Sequence, residues 1–213
     1  TKYSCTEFQK NHQSVMELYG FPLEGTPIMG GESAWVTVVV AMSAADRRWG
    51  ELYYSLKGLV EKHGDEGVRV AVYPSFPGYR PVPEKLDKAL LCAAKNGKYW
   101  ATLEEIAEAY PKQSNSYQSF PRRSDPQVER LKQGGELVTC STEASVPERI
   151  SEIGNAIEGL KLPFKGAVFV NGRLSRVPDG GMAELEALID TELERAKATG
   201  GERHSFYETS VMS

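Results

Sequence analysis

Apolar residues fill Trp35-Val36-Thr37-Val38-Val39-Val40-Ala41-Met42 almost without a break. A β-branched run of that kind fits a strand buried on both faces, as in a parallel sheet with helices on either side. From Ser43 to His63 the rhythm changes. Trp49, Leu52, Tyr53, Leu56, Leu59 and Val60 recur at three- and four-residue intervals, which predicts a helix with one buried stripe. Ser43 stands where an N-cap belongs, with Asp46 following in a variant of the capping box. Gly64 fits an αL terminator. Val68-Arg69-Val70-Ala71-Val72-Tyr73 reads as a second strand, so the segment is a βαβ unit with a right-handed crossover.

Pro74 to Pro83 is proline-rich and reads as a loop. Glu84–Gly97 and Thr102–Tyr110 read as two helices, the first with Leu86, Ala89, Leu90, Ala93 and Ala94 on its apolar face. Lys112 to Asp125 is polar loop. Residues 126–161 add two further helices, one starting near Pro147 behind a Ser145 cap, with Leu137–Cys140 ambiguous between strand and helix. Gly166–Val170, Asn171-Gly172 and Arg173–Val177 carry the strongest short hairpin signal in the chain. A last helix runs from Met182 to about Ala198, with Leu185, Leu188, Ile189 and Leu193 facing in. The organisation expected is an N-terminal arm over 1–34, a domain over 35–198 with a helical insertion at about 84–161, and a tail over 199–213. Within the arm, Phe8, Val15, Met16, Leu18 and Tyr19 suit a short helix, and Phe21-Pro22 through Gly30-Gly31 is turn chemistry.

Charge narrows the function classes. The net charge is −4, and lysines and arginines are scattered, with Arg122-Arg123 the one basic knot. That is too little for a nucleic-acid footprint. No run approaches the ~18 apolar residues of a membrane span. No signal peptide heads the sequence, and Thr1 is not a methionine, so an earlier targeting segment could have been removed. The three cysteines, Cys5, Cys92 and Cys140, lie far apart, as do His12, His63 and His204. There is no CxxC and no Cys/His cluster, so no zinc site, local redox motif or cofactor is expected. Cys92 and Cys140 read as small buried hydrophobes. One long-range disulfide among the three would leave an odd thiol.

Three stretches carry a family likeness. Pro22-Leu23-Glu24-Gly25-Thr26-Pro27-Ile28-Met29-Gly30, ahead of Val36–Val40, resembles the entry segment and first core strand of bacterial DsbA-like oxidoreductases. Ala89-Leu90-Leu91-Cys92-Ala93-Ala94-Lys95-Asn96-Gly97-Lys98-Tyr99-Trp100 resembles the insertion helix of that family and its closing Gly-Lys-aromatic-Trp turn. Val168-Phe169-Val170-Asn171-Gly172-Arg173 resembles the family's penultimate hairpin. The resemblance implies an α/β thioredoxin fold with a helical insertion, and an extracytoplasmic (periplasmic or secreted) location. The departures are chemical. Where the family has a CPxC loop leading into a helix, this chain has Ala41-Met42-Ser43-Ala44-Ala45-Asp46-Arg47-Arg48-Trp49, and the loop looks shorter. Where the family has a cis-proline before the hairpin strand, it has Phe164-Lys165-Gly166-Ala167, with Pro163 too early. Thiol–disulfide exchange needs a thiolate, so the redox site reads as abandoned.

Single residues offer other chemistry. Ser43 at a helix N-terminus resembles the kappa-class glutathione transferases, which share the fold and polarise a thiol there; against that stand its fit as a cap and the repulsion Asp46 would exert on a glutathione thiolate. Cys92 and Cys140 would be a displaced redox pair only if Cys92 left an apolar helix face that raises a thiol pKa. His63 at a helix C-terminus suits the dipole, and Glu104, Glu105 and Glu108 suit a solvated face. The expected role is a redox-inactive domain acting as a protein-binding, scaffold or accessory subunit. The alternative is a thiol- or glutathione-dependent oxidoreductase or transferase working through Ser43 or Cys92/Cys140. The expected binding edge is Ser43, Ala44, Ala45, Asp46, Lys165 and Gly166. Phe206, Tyr207, Val211 and Met212 in the tail are expected anchors on a protein partner or larger assembly.

Overall fold

In a computed structural model the described residues are 25–46, 48–74, 81–108, 166–175 and 182–199, with 21, 23, 149, 153 and 155 as isolated positions; over 81–85 only the backbone is described. Five strands make one sheet: β1 (Ile28–Met29), β2 (Val36–Ala41), β3 (Val68–Tyr73), β4 (Ala167–Val170) and β5 (Arg173–Ser175), in the order β1-β3-β2-β4-β5. Four helices are described: α1 (Trp49–His63), α2 (Pro81–Lys95), α3 (Tyr99–Glu108) and α4 (Met182–Thr199).

β2 and β3 run parallel, from Val36 opposite Val68 to Ala41 opposite Tyr73. β4 lies antiparallel on the other side of β2, Val38 opposite Val170 and Ala41 opposite Ala167. β2, the heart of the continuous apolar run, therefore sits mid-sheet, buried at every position. Alternate residues serve opposite faces. Val36, Val38 and Val40 join Val70, Val168, Trp49, Leu56, Leu90, Leu103 and Ile189 in the larger core. Val39 and Ala41 join Phe21, Ala71, Tyr73, Ile153 and Phe169 in the smaller one. Phe21 stacks at a tilt on both Phe169 and Tyr73, at centroid distances of 4.7 and 5.5 Å.

The hairpin forms as expected. Asn171 and Gly172 both take positive φ, 47° and 76°, as a two-residue primed turn demands. Asn171 also ties the turn to β2: its Oδ1 accepts from the Thr37 N–H at 2.9 Å, and its own N–H donates to the Thr37 carbonyl at 2.9 Å. α2 closes in a Schellman pattern, with the Lys98 N–H on the Ala93 carbonyl and the Gly97 N–H on the Ala94 carbonyl. The aromatic pair that follows fastens this turn to the sheet. Tyr99 donates its hydroxyl to the Val72 carbonyl at 3.2 Å, and Trp100 its indole N–H to the Ile28 carbonyl at 3.1 Å.

Several local expectations are corrected. α1 starts at Trp49, not Ser43, and Ser43 is not its cap. Gly64 has φ 69° and ψ −177°, which is outside αL although still a glycine conformation. Ile28–Met29, read as part of a turn segment, forms an edge strand antiparallel to β3. α2 and α3 each begin three residues before the positions expected, at Pro81 and Tyr99. The expected helices of 126–161 and the polar loop 112–125 lie outside the described residues, apart from single helical positions at 149, 153 and 155.

Candidate functional site

The site begins where β2 leaves the sheet. The Met42 N–H still donates to the Tyr73 carbonyl at 3.1 Å, and after it the chain turns before entering α1. Ser43, 8% exposed, is fixed from both sides. Its hydroxyl donates to the Asp87 carboxylate, 3.0 Å from Oδ2, and the same oxygen accepts the Ala45 N–H at 3.2 Å. Asp87 Oδ1 also takes the Ala44 N–H. The Ser43 carbonyl receives the Trp49 indole N–H at 2.9 Å and the Asp46 N–H at 3.0 Å. The turn is thus held by a carboxylate from α2, and both Asp87 and Ala44 are fully buried.

α1 has Arg48 at its N-cap position, without a side-chain cap bond. Asp46 makes an Asx-type turn just ahead of it: its Oδ1 accepts the Arg48 N–H at 3.0 Å. The Arg48 guanidinium grips the same carboxylate with two donors, Nε at 2.9 Å and Nη2 at 2.7 Å. Both side chains are partly exposed, 31% for Arg48 and 25% for Asp46. This pair lies against the entry to β4. Gly166 has φ +93°, and a Cβ there would meet Arg48 Nη2 at 2.5 Å and Met42 Cγ at 3.2 Å. Only glycine fits.

Of the expected edge, Ser43, Ala44, Ala45, Asp46 and Gly166 come together around Arg48 and Met42. Lys165 lies outside the described residues, as do Cys140 and the tail residues Phe206, Tyr207, Val211 and Met212. Two members were missed. Arg48 shows no sequence signal beyond its position. Asp87 does: it falls on the apolar stripe of α2, one residue after Leu86 and three before Leu90, where a carboxylate needs a buried partner.

The electrostatics follow from burial. Tyr99 is enclosed in the core beneath the site, and desolvation first, then the nearby Asp87, hold its hydroxyl pKa well above the ordinary 10.0. Chemically, the turn offers no thiolate, and the Ser43 hydroxyl proton is already given to a carboxylate that also holds backbone. Cys92 corrects another expectation. It is buried, 0% exposed, but it is a half-cystine and not a free thiol. His63 contacts α4, its Nε2 3.1 Å from Asp190 Oδ1. Glu104 is paired with Lys57 at 2.9 Å and so is not simply solvated, while Glu105 and Glu108 are exposed. Among the described residues, no three His, Cys, Asp or Glu side chains converge as metal ligands, and no helix is long and apolar enough to cross a membrane.

No protein-family model matches the chain, and no curated protein matches it. Solved structures do. A thioredoxin-like oxidoreductase from Silicibacter pomeroyi superposes with a TM-score of 0.58 at 18% identity, over 82% of this chain and 93% of that one. A periplasmic thioredoxin-like protein from Salmonella enterica serovar Typhimurium gives 0.56 at 17%, over 91% and 99%. The thiol-disulfide exchange protein alpha-DsbA2 from Wolbachia pipientis gives 0.58 at 11%, over 87% and 94%. With its mixed five-stranded sheet, its flanking helices and these matches over nearly the whole of each neighbour, the chain has the α/β thioredoxin fold with a helical insertion of the DsbA-like kind.

Proposed function

We propose that this chain is a redox-inactive DsbA-like domain that works by binding protein, as a scaffold or accessory subunit. One observation carries the reading. At the end of β2, where this fold houses its dithiol, the chain places Ser43 and Asp46, and each is already committed to a structural partner, Asp87 and Arg48. A surface with no nucleophile keeps its shape and retains the capacity to bind. The Asp46–Arg48 pair, Ala45, Gly166 and the adjoining Lys165 form the proposed contact edge, with Phe206, Tyr207, Val211 and Met212 as further anchors. The periplasmic thioredoxin-like neighbour supports an extracytoplasmic location. The competing enzyme reading gains no support. The Ser43 hydroxyl is nearly buried and bonded twice, and Cys92 has none of its surface exposed to a substrate.

The test is turnover. Neither insulin-disulfide reduction nor oxidation of a reduced protein should exceed the background of a small thiol. Turnover that disappears in Cys92→Ser or Cys140→Ser would overturn the reading. For the binding half, a protein co-isolated with the chain from its native source should be lost with Ala45→Arg, which puts a long side chain on the turn. It should be kept with Lys197→Glu, on the exposed side of α4.

A further inference from the structure

The hairpin turn is built on Asn171-Gly172, a dipeptide prone to lose its side-chain amide. Glycine has no Cβ to crowd its backbone nitrogen, so that nitrogen can reach the asparagine Cγ wherever the two groups are free to meet. Here they are not. Asn171 is 8% exposed, and three bonds draw it across to β2. Its Oδ1 accepts the Thr37 N–H at 2.9 Å, its Nδ2 donates to the Trp35 carbonyl at 3.4 Å, and its backbone N–H donates to the Thr37 carbonyl at 2.9 Å. The amide is held toward the neighbouring strand, and both of its polar atoms are occupied there.

We infer that Asn171 is a modification site gated by folding: it is deamidated when the hairpin leaves β2, and its isoaspartyl product does not dock again. The step is intramolecular. The Gly172 nitrogen gives up its proton and bonds to the Asn171 Cγ, the Cγ–Nδ2 bond breaks, and ammonia leaves with that proton. Water then opens the cyclic imide. Attack at Cγ yields aspartate, and attack at the main-chain carbonyl yields isoaspartate, whose backbone runs through Cβ and Cγ. The balance is one water consumed and one ammonia released. Ring closure requires Oδ1 and Nδ2 to leave Thr37 and Trp35 first. That departure strands a buried N–H and a carbonyl, so the open form is rare while the sheet is intact. Isoaspartate lengthens the main chain inside a two-residue turn. Arg173 then loses its register with Val170, and a strand out of register turns its side chains to the wrong face.

The test ages the full chain in warm, mildly alkaline buffer, once folded and once in guanidinium chloride, beside a synthetic peptide of residues 166–173. Trypsin cuts after Lys165 and Arg173 and so releases Asn171 in that same peptide. Chromatography with mass spectrometry separates its amide, aspartyl and isoaspartyl forms. Conversion in denaturant should match the synthetic peptide, and in the folded chain it should be at least about tenfold slower. The denatured sample is then returned to buffer. Isoaspartyl chains should be missing from the refolded, protease-resistant fraction and should collect in the digestible one. Equal rates in folded and denatured chain, or isoaspartyl chains refolding in their starting proportion, would overturn the inference.

Discussion

Asp87 reaches from the insertion helix across to the strand–helix turn and accepts there a hydroxyl and a backbone N–H. Ser43 and Ala44 have no other route to satisfying those donors once they are buried. Ser43→Ala removes one member and should cost about 1 kcal/mol, while Asp87→Ala strands both donors and should cost about 2–5 kcal/mol. In urea denaturation the double variant should lose less than the sum of the two single losses, because the hydroxyl–carboxylate bond is common to both. Additive losses would mean the contact is not formed. The local pattern assigns Ser43 to capping, whereas the folded chain commits its hydroxyl to Asp87. A serine before a helical stripe has the signature of a cap, and the true acceptor lies 44 residues away, beyond any local pattern. Glu192 repeats the lesson on α4. It is 5% exposed on a polar-looking helix, because Arg195 at 2.7 Å and Arg173 at 3.3 Å meet its carboxylate.

Elements built on strong periodicity were legible. β3 runs over the expected residues, β2 lies inside its apolar run, and α4 buries Leu185, Ile189 and Leu193 as its pattern requires. Elements with little pattern were not. β1 has only Ile28 and Met29, too few to show alternation, and it exists because β3 offers a free edge beside it. The start of α1 shifted because Asp46 and Arg48, rather than Ser43, organise its first turn. How α4 is held follows from the same contrast. Its inner face should dominate: Ile189→Ala, fully buried, should lower stability by about 2–5 kcal/mol. The bridges from Lys62 to Glu186 and Asp190, at 2.8 and 3.6 Å, are half-exposed, and such pairs contribute little. Lys62→Ala should leave the urea midpoint unchanged within error; a loss approaching that of Ile189→Ala would make the ion pairs the true clamp.

Across the whole molecule, buried tyrosines set the alkaline limit of stability. Burial raises the pKa of Tyr73, and burial together with Asp87 raises that of Tyr99 further. The unfolded chain releases these protons near pH 10 while the folded chain retains them, so the unfolded state gains as pH climbs. Their contribution is complete below about pH 10 and is lost progressively above it. The urea midpoint should fall as the pH climbs above about 10, and Tyr99→Phe should flatten that fall. An equal slope in the variant would assign the loss to other groups. Fold class and the parallel β2–β3 pair could be anticipated because they follow from burial, whereas the turn's partners and the state of Cys92 depend on contacts that close only in three dimensions. That long-range closure also governs how the protein can be made. Thr37 and Asn171, bonded across the sheet, are 134 residues apart, and at ribosomal speeds of about 5–20 residues per second the earlier one waits roughly 7–27 s for its partner. Throughout that interval β2, a strand buried at every position of the finished sheet, has an open edge on the side β4 will cover. Open strand edges recruit other chains. The nascent polypeptide therefore has to be shielded from its neighbours until its last third has emerged.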